Sequence, residues 1–149
     1  MLTDSILKSL SLSSPDELIG WTYADPSWAR IAALVPVVVT CAEAGDGVAN
    51  KILNDAVAEL ALTVKAVVQR LGLCGQDGNS EFPIVLVGGV LVAANQKWDI
   101  GHKVADRLTN TYPGAFPVWP TVEPAVGAAL LACSFLMCEK EKNGLTSCN

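Results

Sequence analysis

The chain has 149 residues, 51% of them apolar, which is enough for one domain with a substantial core. Its 15 acidic residues outnumber its 10 lysines and arginines and give a formal net charge of −5, so no basic stripe could neutralise a polynucleotide and we expect no nucleic-acid partner. The two most apolar runs, 31–42 and 126–138, are shorter than the about 20 residues of a membrane-spanning helix, so we expect no membrane partner.

The N-terminal stretch contains Asp4 and has neither a long apolar segment nor a small-residue cleavage site, which predicts a cytosolic protein without a secretory signal. The cysteines are odd in number and lack C-x-x-C spacing, which favours reduced, packed thiols over a disulfide or zinc framework. They are Cys41, Cys74, Cys133, Cys138 and Cys148. Because His102 is the only histidine, a His-rich metal site is excluded, and we expect no metal ligands in this chain.

Residues 1–45 are predicted to form a helical lead-in of three pieces separated by proline signals. Leu2–Leu10 is amphipathic, and Ser14-Pro15-Asp16-Glu17 has the cap, the proline and the acids that start a helix. Asp25-Pro26 repeats this signal. The apolar run Trp28–Ala44 follows, and Pro36 within it should kink the helix unless the run is two elements.

Residues 46–142 are predicted to form an α/β unit, followed by a tail at 143–149. Gly45-Asp46-Gly47 breaks the apolar run, and apolar residues then recur at helical spacing up to Leu71, where Gly72 ends the helix.

The rest of the unit alternates between strands and helices. A strand at Ile84–Val87, an amphipathic helix from Trp98 to Leu108, an edge strand at Phe116–Val122 and a helix from Ala125 to about Lys140 are predicted in turn. This order indicates two parallel strands joined by a helical crossover. Because two-stranded sheets are marginal alone, the sheet is expected to be incomplete and the chain to be a single partial domain over 1–149.

Gly88-Gly89 follows the first predicted strand at its carboxyl end, where ligands bind in open α/β sheets. One interpretation is a tight turn that binds nothing, and another is a site where a ligand approaches the backbone without a Cβ in the way. Short glycine motifs are frequent by chance, so spacing alone favours the tight turn.

Other candidate residues have structural interpretations. Asp46 precedes the longest helix and is predicted to be its N-cap, although the Ala42–Gly47 turn could also border a ligand pocket. His102 has no evident carboxylate partner and is interpreted as a surface or packing residue. No nucleophile with a base and no acid pair is evident, so we expect no catalytic residue in this chain.

Three segments resemble the BadF/BadG/BcrA/BcrD-type ATPases, and within them the N-acetylglucosamine kinases. The segments are Ala42-Glu-Ala-Gly45-Asp46 with the helix that follows, Pro83-Ile-Val-Leu-Val-Gly88-Gly89-Val, and Pro124-Ala-Val-Gly127-Ala128-Ala129-Leu. Each is short, but their order and separations make the resemblance fairly specific.

The resemblance implies an α/β chain that is the helix-rich second half of an actin-like ATPase (ribonuclease H-like) domain with a short, incomplete parallel sheet. It implies ATP bound near Gly88 and Gly89, with Ala42 and Gly45 on the other wall of the pocket, and Mg²⁺ and an amino sugar in the complete enzyme. The family's D-G-G-G-T-type phosphate loop and its catalytic acid have no match here. We therefore expect a C-terminal segment that is inactive alone and homodimeric when complete.

Two alternatives stay open. One is a non-catalytic, truncated interaction module, which the missing phosphate and base residues would suit. The other is an ATPase that activates an iron–sulfur reductase, but the five cysteines are scattered rather than placed to ligate iron, which argues against it.

Overall fold

The computed structural model describes residues 1–91 and 98–144, without the side chains of 138–144. The described part is helix-rich with one short sheet. Its elements are α1 (Leu2–Leu10), α2 (Glu17–Ala24), α3 (Trp28–Ala32), α4 (Val35–Glu43), α5 (Gly47–Leu71), β1 (Phe82–Val85), α6 (Ile100–Thr111), β2 (Ala115–Val118) and α7 (Pro124–Gly144). This confirms the α/β class, but most of the predicted tail at 143–149, including Cys148, lies outside the described residues.

The long helix α5 begins and ends at the predicted residues. Asp46 caps its N-terminus by accepting hydrogen bonds from the backbone N–H groups of Val48 and Ala49. Gly72 ends it in the left-handed conformation, with φ at 63°. Both predictions are therefore confirmed, and α4 and α6 pack against α5.

The apolar run after Ser27 is two helices. The α-helical hydrogen-bond pattern is interrupted at Ala33 and Leu34, although both residues keep right-handed helical dihedral angles. Pro36 then lies in the first turn of α4, where its missing N–H is tolerated. The prediction of one kinked helix over Trp28–Ala44 is therefore wrong, and the alternative prediction of two helices is confirmed.

The sheet is parallel and has two strands in the described part of the chain, with Phe82 opposite Ala115 and Val85 opposite Val118. β1 lies two residues earlier than the predicted strand, because pairing starts where the Phe82 N–H donates to the Gly114 carbonyl. β2 also ends earlier than predicted, at Val118, because β1 offers it no further partner.

The core lies between α4, α5, α6 and one face of the sheet. Leu53 and Val68 of α5, Val104 and Leu108 of α6, and Phe82 of β1 are buried in one cluster. The other face of β1 is open, since Val85 is 56% exposed although the strand is apolar throughout. In the described part of the chain, β1 is therefore buried on one face only.

The chain divides into two compact units, Met1–Val118 and Trp119–Asn149. The first contains α1 to α6 and both strands. The second contains α7, which begins at Pro124, as a proline in the first turn of a helix allows. Among the described residues, no helix combines the length and the apolar character needed to cross a bilayer.

Candidate functional site

The Gly88-Gly89 turn directly follows the sheet. The Leu86 N–H makes the last strand hydrogen bond, to the Val118 carbonyl at 2.9 Å, and the chain then bends at Gly88 with φ at +102°. This φ is strained for any residue with a side chain, so the first glycine is required by the backbone. The Leu91 N–H closes the turn onto the Gly88 carbonyl at 3.0 Å.

Among the described residues, the space above both glycines is open. A Cβ built on Gly88 or Gly89 meets none of their atoms within 4 Å, and Gly89 lacks the positive φ of its neighbour. Local packing therefore does not require a glycine at position 89. An incoming group could approach the backbone here.

Gly89 forms one wall of an apolar cavity of about 200 Å³. The opposite walls come from Ala33 at the end of α3 and from Val35 and Pro36 at the start of α4, and Ile100 of α6 closes it. None of the described residues that line it is charged. Such walls suit an uncharged ring better than a phosphate group.

The second predicted wall is the turn between α4 and α5. Its backbone is closed by two hydrogen bonds, from the Gly45 N–H to the Ala42 carbonyl at 3.0 Å and from the Asp46 N–H to the Cys41 carbonyl at 2.9 Å. Ala42 is buried, whereas Gly45 is exposed.

Asp46 joins two helix starts, because its carboxylate also accepts a hydrogen bond from the Leu2 N–H of α1 at 2.9 Å. The pKa of Asp46 is lowered, chiefly by the hydrogen bond from Ala49 and further by those from Leu2 and Val48, against a smaller opposing effect of burial. The carboxylate is therefore ionised at neutral pH and fixed by the backbone.

Asn50 braces this turn, although sequence reasoning did not select it. Its side-chain amide donates to the carbonyls of Ala42 and Asp46 at 2.9 and 3.0 Å. Its carbonyl oxygen accepts from the indole N–H of Trp98 at 2.9 Å. The Glu43 carboxylate also accepts a hydrogen bond from the Trp98 backbone N–H, at 3.3 Å. The one available signal was an asparagine in the first turn of a helix, which is common and therefore weak.

The two predicted walls lie at opposite ends of α4. Gly89 and Pro36 both line the cavity. Ala42 lies six residues after Pro36, which is about 9 Å along a helix. Ala42 and Gly45 do not line this cavity. The structure thus places the two groups of predicted residues near opposite ends of α4 but does not bring them into one cavity.

His102 has a carboxylate partner, contrary to the sequence interpretation. Its Nδ1 lies 2.7 Å from Oδ2 of Asp99, and its backbone N–H donates to Oδ1 of the same carboxylate at 2.8 Å. Burial acts to raise the pKa of Asp99, but the contacts with His102 outweigh it and the net shift is downward. Asp99 is the N-cap of α6, so this pair stabilises a helix start.

Metal ligands are not grouped in the part of the chain that the structure describes. No three His, Cys, Asp or Glu side chains there are grouped to hold a metal ion, so these residues do not form a Mg²⁺ site by themselves. Cys41 is buried, Cys74 is half-buried and Cys133 is exposed, and all three are free.

A parallel sheet with a glycine turn after its first strand and α-helices packed on one face makes this an α/β chain, and in open α/β sheets ligands bind beyond the carboxyl ends of the strands. Within this class, the chain belongs to the BadF/BadG/BcrA/BcrD ATPase family, whose profile it matches over residues 7–132. The family resemblance predicted from the sequence is confirmed.

Two curated relatives are sugar kinases. The chain is 35% identical to N-acetyl-D-glucosamine kinase of Dictyostelium discoideum over 134 residues, covering 88% of this chain and 40% of that protein. It is 33% identical to N-acetylmuramic acid/N-acetylglucosamine kinase of Clostridium acetobutylicum over 135 residues, covering 90% of this chain and 42% of that protein. The chain thus spans about two fifths of these relatives. No solved structure matches it significantly.

Proposed function

We propose that this chain is the C-terminal, ATP-binding part of an amino-sugar kinase. In the complete enzyme, N-acetylglucosamine and ATP would give N-acetylglucosamine 6-phosphate and ADP. The observation that carries the proposal is the similarity to two such kinases over nearly the whole chain. A cytosolic location, a homodimer when complete and a single partial domain over 1–149 belong to the same proposal.

The role assigned to the Gly88-Gly89 turn is contact with the nucleoside. Open space over both Cα atoms and the apolar cavity beside Gly89 support this assignment, because an aromatic base needs flat, uncharged surroundings. Ala42 and Gly45 would border the same nucleotide from the other end of α4, with Asn50 as the residue that positions their turn.

Charge neutralisation of the phosphates is not assigned to this cavity, because the lining residues that the structure describes are uncharged. Phosphoryl transfer depends on positioned groups and on electrostatic stabilisation of the transferring phosphoryl. These groups and the Mg²⁺ ligands are therefore assigned to the remainder of a complete kinase, and we derive no step through the metal.

Activity assays test the assignment at two levels. The purified chain alone should release no ADP from ATP and N-acetylglucosamine above a control without enzyme. A chimera in which it replaces the matching two fifths of the Dictyostelium relative should recover sugar-dependent ADP release.

A Gly89→Asp variant of the chimera tests the nucleotide assignment, because it places a charge where the nucleotide is proposed to lie. It should raise the KM for ATP more than the KM for the sugar. Turnover by the chain alone that Gly89→Asp abolishes, or equal changes of both constants in the chimera, would contradict the proposal.

A further inference from the structure

A second cavity, of about 220 Å³, lies between α5 and α6. Its apolar walls include Ala61 and Leu62 of α5 and Leu108 of α6. Lys65 of α5 and Arg107 of α6 line it from the two sides. Two cations on one small cavity are unusual in a chain with a net charge of −5 and differ from the uncharged walls beside Gly89.

Neither cation has an ion-pair partner among the described residues. In the described ranges, the ion pairs join other groups, and no side-chain hydrogen bond is made by Lys65 or Arg107. Like charges that share a site are unfavourable unless an anion compensates them. Both side chains are exposed and can therefore move to meet an anion.

Tyr112 supplies an independent observation at the same cavity. It is one of the lining residues and is only 8% exposed, and its ring packs edge-on against Phe82 at 5.9 Å between centroids. Its hydroxyl is buried and has no hydrogen-bond partner among the described residues. A buried hydroxyl without a partner is costly, so an acceptor supplied by a ligand would relieve it.

We propose that this cavity binds a small organic anion. Its carboxylate or phosphate oxygens would lie between Lys65 and Arg107, and a small movement of the Tyr112 side chain would let its buried hydroxyl donate a hydrogen bond to them. Its apolar part would pack on Leu62 and Leu108. The site is separate from the Gly89 cavity and does not depend on the proposed kinase function.

Saturation-transfer NMR on the full 149-residue chain tests the proposal, because the method measures weak binding at low protein concentration. Benzoate and phenyl phosphate are the anionic probes and distinguish a carboxylate from a phosphate site. Benzyl alcohol is the uncharged control. We expect saturable binding of at least one anion, displacement by inorganic phosphate if the site prefers phosphate, and weakening by salt.

Substitution of both cations, Lys65→Met with Arg107→Gln, should weaken binding of the anionic probe by at least about tenfold. Arg70→Gln is the matched control, because Arg70 is an exposed cation on α5 that does not line this cavity. It should leave the affinity unchanged. Equal binding of benzyl alcohol and benzoate, or equal losses in both variants, would overturn the proposal.

Tyr112→Phe separates a ligand contact from a structural role. Removal of the hydroxyl should weaken the anion about tenfold while the Tm of the ligand-free chain does not fall, since no internal hydrogen bond is lost. Unchanged affinity in Tyr112→Phe would show that the hydroxyl does not contact the anion. Absence of binding by every anion would show that water alone fills the cavity.

Discussion

Asn50 connects the turn between α4 and α5 to Trp98, which lies 48 residues later in the sequence. Because its two donors and its acceptor are all used, each atom of the side-chain amide has a defined partner. Buried networks of this kind fix one geometry when they are complete. The turn that carries Gly45 is thus held by a residue outside it.

Asn50→Ala should therefore lower the free energy of unfolding by about 1–3 kcal/mol, because it leaves the buried Trp98 indole N–H unpaired. Urea unfolding followed by Trp fluorescence measures the change. Asn54→Ala is the control, since Asn54 is exposed one turn later on α5 and makes only a bond to the Asn50 carbonyl. Equal losses in the two variants would show that the bridge to Trp98 contributes nothing.

The lowered pKa of Asp46 predicts how the stability of the folded chain changes at acidic pH. A carboxyl group whose pKa is lower in the folded chain stabilises that chain above its unfolded pKa of about 3.8, and this stability is lost as the pH falls through the folded value. The Tm of the wild type should therefore fall more steeply below about pH 4 than that of Asp46→Asn, whose amide can still cap α5. The measurement extends down to pH 2.5, because Asp pKa values in proteins spread by about one unit around their mean. Parallel Tm curves of the two proteins over this range would contradict the prediction.

Helices α5 and α6 show how far local pattern determines an element. The caps at Asp46 and Gly72 and the apolar spacing are local, so the sequence was sufficient to predict α5 and the inward face of α6. The bounds of β1 and β2 depend on which residues find a partner across the sheet, and this cannot be read from either strand alone. The Asn50 bridge and the cavity beside Gly89 likewise need the packing of α3, α4 and α6.

Gly101 in α6 illustrates an element-scale constraint. By helix propensity, alanine should be preferred over glycine by about 1 kcal/mol. A Cβ at this position would instead collide with the backbone carbonyl oxygen of Leu91, which cannot move away as a flexible side chain could.

Gly101→Ala should therefore destabilise the chain by about 1–3 kcal/mol, the usual cost of overpacking. Gly20→Ala in α2, where a Cβ meets nothing within 4 Å, should stabilise it by about 0.5–1 kcal/mol. Chemical unfolding of the two variants measures both changes. The same sign for both would show that the contact with Leu91 does not constrain α6.

At the scale of the whole molecule, the open face of the sheet determines how the chain behaves in solution. Val85, Val87 and Phe116 are 56%, 54% and 45% exposed, and each strand has one partner in the described part of the chain. Unpaired edges and apolar patches recruit other chains.

We therefore expect the isolated chain to be marginally stable and to self-associate. Sedimentation velocity at several concentrations, with a hydrophobic dye as a second probe, should show growing species and dye binding. Val85→Lys, on the open face, should reduce both. A monomer that unfolds cooperatively and binds no dye would show that the segment is an autonomous domain.

Hydrogen exchange with ATP present tests the central claim most directly, because mass spectrometry resolves it by segment at low protein concentration. Because the chain supplies only part of the nucleotide site, we expect a Kd for ATP in the millimolar range. A concentration of about 10 mM ATP is therefore needed to populate the complex. We predict slower exchange at residues 88–91 and at the start of α4, and loss of this protection in Gly89→Val but not in Gly20→Val. Protection that is absent, or that lies elsewhere and is unaffected by Gly89→Val, would contradict the assignment of the glycine turn to the nucleotide.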